Sequence, residues 1–335
     1  MTVLEFSLSS SLEAHEPPEA RGLARDDVRL LVARGSGELT HHRFTDLPSL
    51  LRAGDVLVVN TSATLPAAVP VAGRDLVVHF STVRPDGRWL LELRRGSHPY
   101  RDAVPGSRYE LVGGALVDLV EPYSTGRLWV ASVQAPGGVL AFLRRHGAPI
   151  RYGYVPRAWP LAAYQTVFAN EPGSAEMPSA GRPFTDRLVT RLVTAGVLVV
   201  PVLLHTGVAS PEAHERPYPE RFAVPDPTAR VVNVARDGGG RVIAVGTTVV
   251  RALESAVHDD GTVQAAAGVT DLVVDETRGV RVVDGLLTGF HEPLASHLDM
   301  LAAIAGRDLL AAAYRAAIDA GYLWHEFGDL NLLLP

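Results

Sequence analysis

A glycine and two threonines, Gly246-Thr247-Thr248, stand between the apolar run Val242-Ile243-Ala244-Val245 and an amphipathic stretch that carries Arg251 and Glu254. A strand that turns through such residues into a helix presents backbone N–H groups and two hydroxyls at the helix N-terminus, where a carboxylate, a phosphate or a polar base edge can dock. Arg251 and Glu254, three apart, share one helical face. A structural role fits the same residues, with a threonine capping the helix and Arg251 paired to Glu254 on the surface. His205 follows the apolar run 197–204. Ligands of open α/β sheets gather outside the carboxyl ends of strands, so His205 is a candidate acid or base and, with equal weight, a core histidine satisfied by its neighbours. The segment 284–293 is read as a loop leaving a strand. It brings Asp284, Thr288, His291 and Glu292 close to Gly285 and Gly289.

Residues 139–169 contain no Asp or Glu but hold Arg144, Arg145, Arg151 and Arg157 among Tyr152, Tyr154, Trp159 and Tyr164. Arginine interleaved with aromatics can contact a phosphate backbone and stack on bases, and the same composition suits a solvated linker.

Composition narrows the chemistry. The 335 residues include no Cys, which removes disulfides, thiolate nucleophiles and iron–sulfur clusters. They include no Lys either, so all 31 basic residues are Arg, and Schiff-base or P-loop lysine chemistry is excluded. A net charge of −6 gives no global attraction to nucleic acid or to anionic membranes. No G-x-G-x-x-G follows a strand, because Gly238-Gly239-Gly240 precedes one. No G-x-S-x-G elbow or H-E-x-x-H pair occurs, and no metal is expected. With no basic leader before an apolar core and no apolar stretch approaching ~20 residues, the expected setting is cytoplasmic and away from membranes.

The elements that must position these residues fall into three stretches. Residues 1–65 carry strand-like runs at 28–33 and 55–60. Residues 66–135 hold short strands at 75–83, 89–93, 109–112, 116–120 and 128–133, separated by turn residues, the pattern of a small antiparallel barrel or sandwich. After residue 136 helices and strands alternate. Helices are expected at 184–195, from 247 to about 256, at 294–305 and at 308–320, and strands at 197–204, 241–245, 271–274, 280–283 and 330–334. The expected fold is an α/β (Rossmann-like) domain formed by residues 1–65 and 136–335, with an antiparallel β-barrel domain, 66–135, inserted in it.

Several motifs resemble one family. Arg241 to Ser255 is similar to the R-x-I-A-V-G-T-T-S-V-R-A-L-E-S signature of the S-adenosylmethionine:tRNA ribosyltransferase-isomerase (QueA) family. Arg52-Ala53-Gly54-Asp55 through Asn60 resembles its R-P-G-D-x-L-V-x-N, and Tyr164-Gln165-Thr166-Val167-Phe168-Ala169 its Y-Q-T-V-Y-A. Pro178-Ser179-Ala180-Gly181 with Phe184-Thr185 resembles P-T-A-G-L-H-F-T, the segment 282–291 resembles V-V-D-A-L-L-T-N-F-H, and Phe327-Gly328-Asp329 the terminal Y-G-D. The resemblance implies the same layout of domains. It also implies transfer of the ribosyl portion of S-adenosylmethionine to the aminomethyl group of a 7-deazaguanine base in tRNA, giving epoxyqueuosine and releasing adenine and methionine. No cofactor is implied beyond S-adenosylmethionine as co-substrate.

Carried over by position, the resemblance gives His205, His291 and Glu220 as candidates for proton transfer. Gly246, Thr247, Thr248, Arg251 and Glu254 become candidates for binding S-adenosylmethionine, with Arg251 anchoring the methionine carboxylate. Ser179, Gly181 and Phe184 would line the pocket, Asp284, Thr288 and Asp329 would orient polar groups, and Tyr154, Gln165 and Phe290 are further candidates for binding substrate. Arg144, Arg145, Arg151 and Arg157 would meet the tRNA anticodon loop.

Departures from the family cluster on the acceptor side. N-D-T-R-V-I-P-A-R-L reads Asn60-Thr61-Ser62-Ala63-Thr64-Leu65-Pro66-Ala67-Ala68-Val69, without its two arginines. L-H-F-T reads Arg182-Pro183-Phe184-Thr185. H-V-G-L-G-T-F-R-P-V begins as His205-Thr206-Gly207 and then diverges, E-H-x-M-H-S-E keeps Glu220 but loses its second His, and the Asn of T-N-F-H is Gly289. These losses leave two alternatives beside modified tRNA as acceptor: a paralogue acting on a small molecule, and an inactive nucleotide-binding protein that keeps only the fold.

Overall fold

The computed structural model describes residues 4, 6–123, 126–208, 218–293 and 295–335. A nine-stranded mixed sheet orders its strands as Ala266–Thr270, Glu220–Val224, Leu198–Leu204, Val56–Asn60, Val242–Val245, Gly285–Gly289, Leu330–Leu334, Arg29–Arg34 and Leu39–Arg43. The four strands from Leu198–Leu204 to Gly285–Gly289 run parallel. All five residues of Val56–Asn60 are buried, as expected of a strand covered on both faces, whose sequence reads as an unbroken apolar run. Alternate side chains serve opposite layers. Val56 and Val58 pack with the helices Asp226–Asp237, Thr247–Glu254, His297–Ala305 and Arg307–Asp319, whereas Leu57 and Val59 pack with Leu188 and Leu192 of Asp186–Thr194.

Between Val56–Asn60 and Leu198–Leu204, which follow one another in the chain as members of the parallel group, the chain makes a separate antiparallel sheet. Its strand order is Ala68–Pro70, Val77–Val83, Trp89–Arg95, Leu128–Gln134, Leu116–Tyr123 and Arg108–Glu110, with His98–Pro99 paired to Trp89–Arg95. The sheet curls until its ends meet: Val71 bridges Leu111, and the amides of Ala72 and Val112 donate to the carbonyls of Glu110 and Pro70 at 2.8 and 2.9 Å. A core of its own, including Phe80, Trp89, Leu91 and Trp129, fills the curl. The expected fold class, a mixed α/β body with an inserted antiparallel barrel-like sheet, is therefore present.

Two expected strands are corrected. Neither 271–274 nor 280–283 is a strand; the strands are Ala266–Thr270 and Gly285–Gly289, so the segment read as a loop is itself a strand of the main sheet. For 280–283 the cause is Glu254, whose carboxylate accepts the N–H groups of Arg281, Val282 and Val283 and leaves them unable to form a ladder. The helices Val139–His146 and Asp226–Asp237 and the strand Glu220–Val224 were not expected.

Candidate active site

At the carboxyl edge of the parallel strands the chain leaves the sheet at Asn60, Leu204, Val245 and Gly289. Leu330 and Val28 lie at the same edge, because Leu330–Leu334 pairs antiparallel to Gly285–Gly289 and parallel to Arg29–Arg34. At Val245 the chain enters Thr247–Glu254 through Gly246 at φ 92°, a conformation glycine adopts without a side-chain clash. Thr247 and Thr248 open the helix and are half-exposed. Gly246 supplies no side-chain capping bond. Instead Asn60, buried at the end of its strand, binds the edge together. Its Oδ1 accepts the amides of Ser62 and Leu204 at 3.0 Å, and its Nδ2 donates to the Leu204 carbonyl at 2.8 Å and to Thr248 Oγ1 at 3.2 Å.

His205 stands beside this staple. Its Nδ1 is 2.7 Å from Ser62 Oγ, which is 2.6 Å from Ser174 Oγ, and its Nε2 faces Glu171 at 3.6 Å. The ring lies over Gly173, where a Cβ would collide with the imidazole. Burial pushes the imidazole below its ordinary value against the pull of Glu171, so the ring is held neutral and able to accept a proton.

The turn Ser179–Gly181 packs across the sheet edge, and a Cβ on Gly246 would meet Ala180 Cβ at 3.4 Å. On its far side a crevice is lined by Ser179, Arg182, Gly289, His325, Glu326 and Asp329, among others. Asp329 is committed there to Arg29, at 3.0 Å, and to the amides of Arg29 and Leu323 at 2.8 Å. Beside Glu326, Tyr154 donates its hydroxyl to the carboxylate and stacks on His325, with centroids 3.9 Å apart and planes at 9°. The Tyr154 carbonyl is bound by His15 Nδ1 at 2.6 Å. Burial raises Tyr154 far above its ordinary value and raises Glu326 as well.

His291 also faces this edge, with Nε2 3.1 Å from Thr288 Oγ1 and its ring stacked on His297 at 4.7 Å. Burial and the neighbouring imidazoles lower it well below the ordinary value.

Other candidates sit apart from the edge or are engaged in holding it. Glu220 and Arg251 form a buried ion pair. The rest of the Arg251 guanidinium donates to the carbonyls of Leu272, Tyr218 and Thr270, so every nitrogen expected to anchor a carboxylate is engaged within the protein. Burial raises Glu220, which also accepts the Gly207 amide at 2.9 Å. The surface pairing of Arg251 with Glu254 is overturned, because Glu254 receives Arg278 and three backbone amides. Asp284 caps the opposite edge, exchanging hydrogen bonds with Val242 at 2.8 Å. Phe290 and Phe184 are core aromatics, against Trp324 and Tyr314 and against Phe44 and Phe168 respectively. Gln165 clamps the backbone of Thr64 through both ends of its amide, and Gly181 packs on Thr166.

Among the basic candidates, Arg144 and Arg145 lie in the last turn of Val139–His146, with Arg144 and Arg145 at the solvent-facing end of the helix. Arg157 lies 3.9 Å over Trp159, and Arg151 is bound to the carbonyls of Val155 and Pro156. The divergent residues 209–217 lie outside the described residues.

Sequence reasoning missed Asn60, Ser62, Ser174, Arg182, His325 and Glu326 as parts of this edge. Asn60 and Arg182 stood inside quoted motifs, but their partners lie 144 and 163 residues away. Among the described residues no group of three or more His, Asp or Glu could hold a metal ion, and no helix is long and apolar enough to cross a membrane.

Comparison with known proteins agrees with this architecture. The profile of a family described as Queuosine biosynthesis protein matches residues 1–333. A Thermus thermophilus protein named S-adenosylmethionine:tRNA ribosyltransferase-isomerase is 37 % identical over 345 aligned residues, covering 96 % of this chain and 97 % of its own length. A Gloeobacter violaceus protein of the same name is 35 % identical, covering 99 % and 95 %. The crystal structure of a Thermotoga maritima S-adenosylmethionine tRNA ribosyltransferase superposes with a TM-score of 0.55 at 26 % identity, covering 99 % of both chains.

Proposed function

The chain belongs to the queuosine biosynthesis protein family, and on that premise we propose that it transfers the ribosyl portion of S-adenosylmethionine to the aminomethyl group of a 7-deazaguanine base in tRNA. The observation that carries this reading is the match to relatives of that name along nearly the whole of both chains.

The chemistry asks for a base, because a sulfonium acidifies the adjacent 5′ hydrogens, and for donors to receive the departing adenine. His205, kept neutral by burial and oriented by Ser62, has the state and setting of the base, and His291 is the second candidate. Gly246, Thr247 and Thr248 offer amides and hydroxyls at the mouth of a helix. Glu220 and Arg251 act through packing, holding the segment that carries Gly207 against the helix behind that turn. Arg144 and Arg145 are the arginines placed to meet tRNA phosphates, and residues 66–135 form the inserted domain beside them.

The test is incubation of the protein with S-adenosylmethionine and precursor tRNA, followed by mass analysis. Free adenine, methionine and an epoxyqueuosine nucleoside are the expected products. An unaltered nucleoside and intact S-adenosylmethionine would sink the reading.

A further inference from the structure

The crevice beyond the Ser179–Gly181 turn holds two opposite charges that the roles above do not use. Arg182 is 2 % exposed, yet its guanidinium is only partly engaged: Nε donates to the Ala163 carbonyl and Nη2 to Glu19, both at 2.9 Å. Nη1 has no hydrogen-bond partner among the described residues and is not a sealed polar atom, and the guanidinium lies 5.0 Å over the ring of Phe327, which lines the crevice together with Arg182. Glu326 faces the same space. Tyr154 is the one side chain among the described residues that hydrogen-bonds its carboxylate, through Oε2, and the residue's own backbone N–H also faces the carboxylate, so no other side chain engages Oε1.

The wall between them is built at a cost. His325 has φ 73°, the one positive φ outside glycine among the described residues, in a region a side chain disfavours. Its side chain is 6 % exposed, and its Nε2 is a buried polar atom without a hydrogen bond, 3.9 Å from Glu13. The other charges at the crevice are already balanced, since Asp329 is held by Arg29, and Glu19 is shared by Arg182 and Arg25.

A guanidinium and a carboxylate in one largely desolvated crevice complement a ligand that carries an anion and a cation on adjacent atoms. S-adenosylmethionine ends in such a group, a carboxylate and an ammonium on one carbon. We propose that Arg182 and Glu326 bind the α-amino-acid end of S-adenosylmethionine, Arg182 taking the carboxylate and Glu326 the ammonium, with the adenosyl part directed across Ser179 toward Gly246. The assignment rests on the reading of S-adenosylmethionine as co-substrate and moves the carboxylate anchor from Arg251, whose donors are engaged, to Arg182. Neither residue is carried over from the family motifs; Arg182 stands at a position where the sequence departs from them, and the assignment moves that departure from the acceptor side, where the sequence put it, to the S-adenosylmethionine side.

Calorimetric titration with S-adenosylmethionine and with its decarboxylated analogue, an aminopropyl sulfonium without the carboxylate, separates the two contacts. Arg182→Met should weaken S-adenosylmethionine by about tenfold or more and leave the analogue within about twofold, because of the contacts to ligand only the charge-assisted bond to the carboxylate is removed, while the bonds to Ala163 and Glu19 are lost for both ligands alike. Glu326→Gln should weaken both ligands, since both keep the amine. Arg182→Lys, which keeps a cation against Glu19, provides a folded alternative should the Met variant unfold; it should restore part of the discrimination. Equal losses for both ligands in the Arg182 variants, or none, would overturn the assignment while leaving the co-substrate reading intact. A wild-type protein that binds neither ligand would overturn both.

Discussion

Asn60 Nδ2 reaches Thr248 Oγ1 at 3.2 Å from a strand 188 residues away in sequence, and through the same side-chain amide Asn60 holds both backbone groups of Leu204. One buried side chain thus sets the spacing between the Gly-Thr-Thr turn and the strand that delivers His205. A hydrocarbon at this position would leave a buried amide and a buried carbonyl without partners, each at a cost of about 1–3 kcal/mol.

Asn60→Ala is therefore expected to lower unfolding stability by about 2–4 kcal/mol, read from urea titration, as several buried bonds are lost together. Turnover should fall further than the folded fraction does, because Thr248 and His205 lose their common tether. Full specific activity in the folded fraction would contradict the tether.

Glu254 makes a contrasting case. Its side chain is fully buried and receives Arg278 at 2.9 Å together with the amides of residues 281–283. Glu254→Ala strands a cation and three amides, and a loss of about 3–5 kcal/mol is expected from chemical denaturation. A loss below about 1 kcal/mol would mean that the 281–283 segment finds other partners.

The limits of reading this chain from its sequence follow from such contacts. Leu330–Leu334 and Val56–Asn60 were legible because strands buried on both faces are apolar through most of their length. The 280–283 run has a similar composition, but a carboxylate more than twenty-five residues upstream takes its amides. Asp226–Asp237 was obscured because Pro225 and Pro227 read as breakers, although a proline in the first turn favours a helix start, and because its buried face is built from Thr228, Ala229, Val232 and Ala235 instead of large residues. At the site, residue types pointed to Gly246, Thr248 and His205. The commitment of Arg251 to Glu220 and the opening of Arg182 depend on side chains that only the fold brings together.

Acid should destabilise the protein in a defined window. Burial lowers His79 to about 3 and His325 to about 4, so both stay neutral in the fold while the unfolded chain takes up protons near the ordinary value of 6.5. Their contribution is complete above that value and is lost as pH falls toward 4. The raised carboxyls Glu220, Glu292 and Glu326 have the opposite sign, losing stability as pH rises through their folded values. Thermal midpoints measured from pH 7 to pH 4 should fall, and His79→Gln, which removes one titrating group, should flatten the fall. Parallel curves for the two proteins would show that His79 does not contribute.

Among the described residues, Arg144 and Arg145 differ from Arg151 in having no hydrogen bond to nearby carbonyls like those that hold its guanidinium. Arg144→Ser with Arg145→Ser should weaken tRNA binding several-fold and reduce the slope of log affinity against log salt by up to about 1 for each phosphate contact removed. An unchanged slope would place the tRNA elsewhere. Binding of S-adenosylmethionine should be untouched, since both residues are exposed on a helix whose buried residues Phe142 and Leu143 pack into the core of the inserted sheet.

His205→Gln tests the base directly. Glutamine keeps a polar group beside Ser62 but cannot accept a proton at neutral pH, so kcat should fall by about 10²–10⁴ while the affinity for S-adenosylmethionine changes little. The pH profile gives a second handle. With its folded value below the ordinary one, His205 is deprotonated across neutral pH, and activity should decline on the acid side as the imidazole takes up a proton. That acid limb should vanish from whatever activity the variant retains. Were the limb to persist in His205→Gln and disappear in His291→Gln, proton removal would belong to the histidine beside Thr288, and His205 would be left to position Ser62 and the short strand Glu171–Ser174 that carries Gly173.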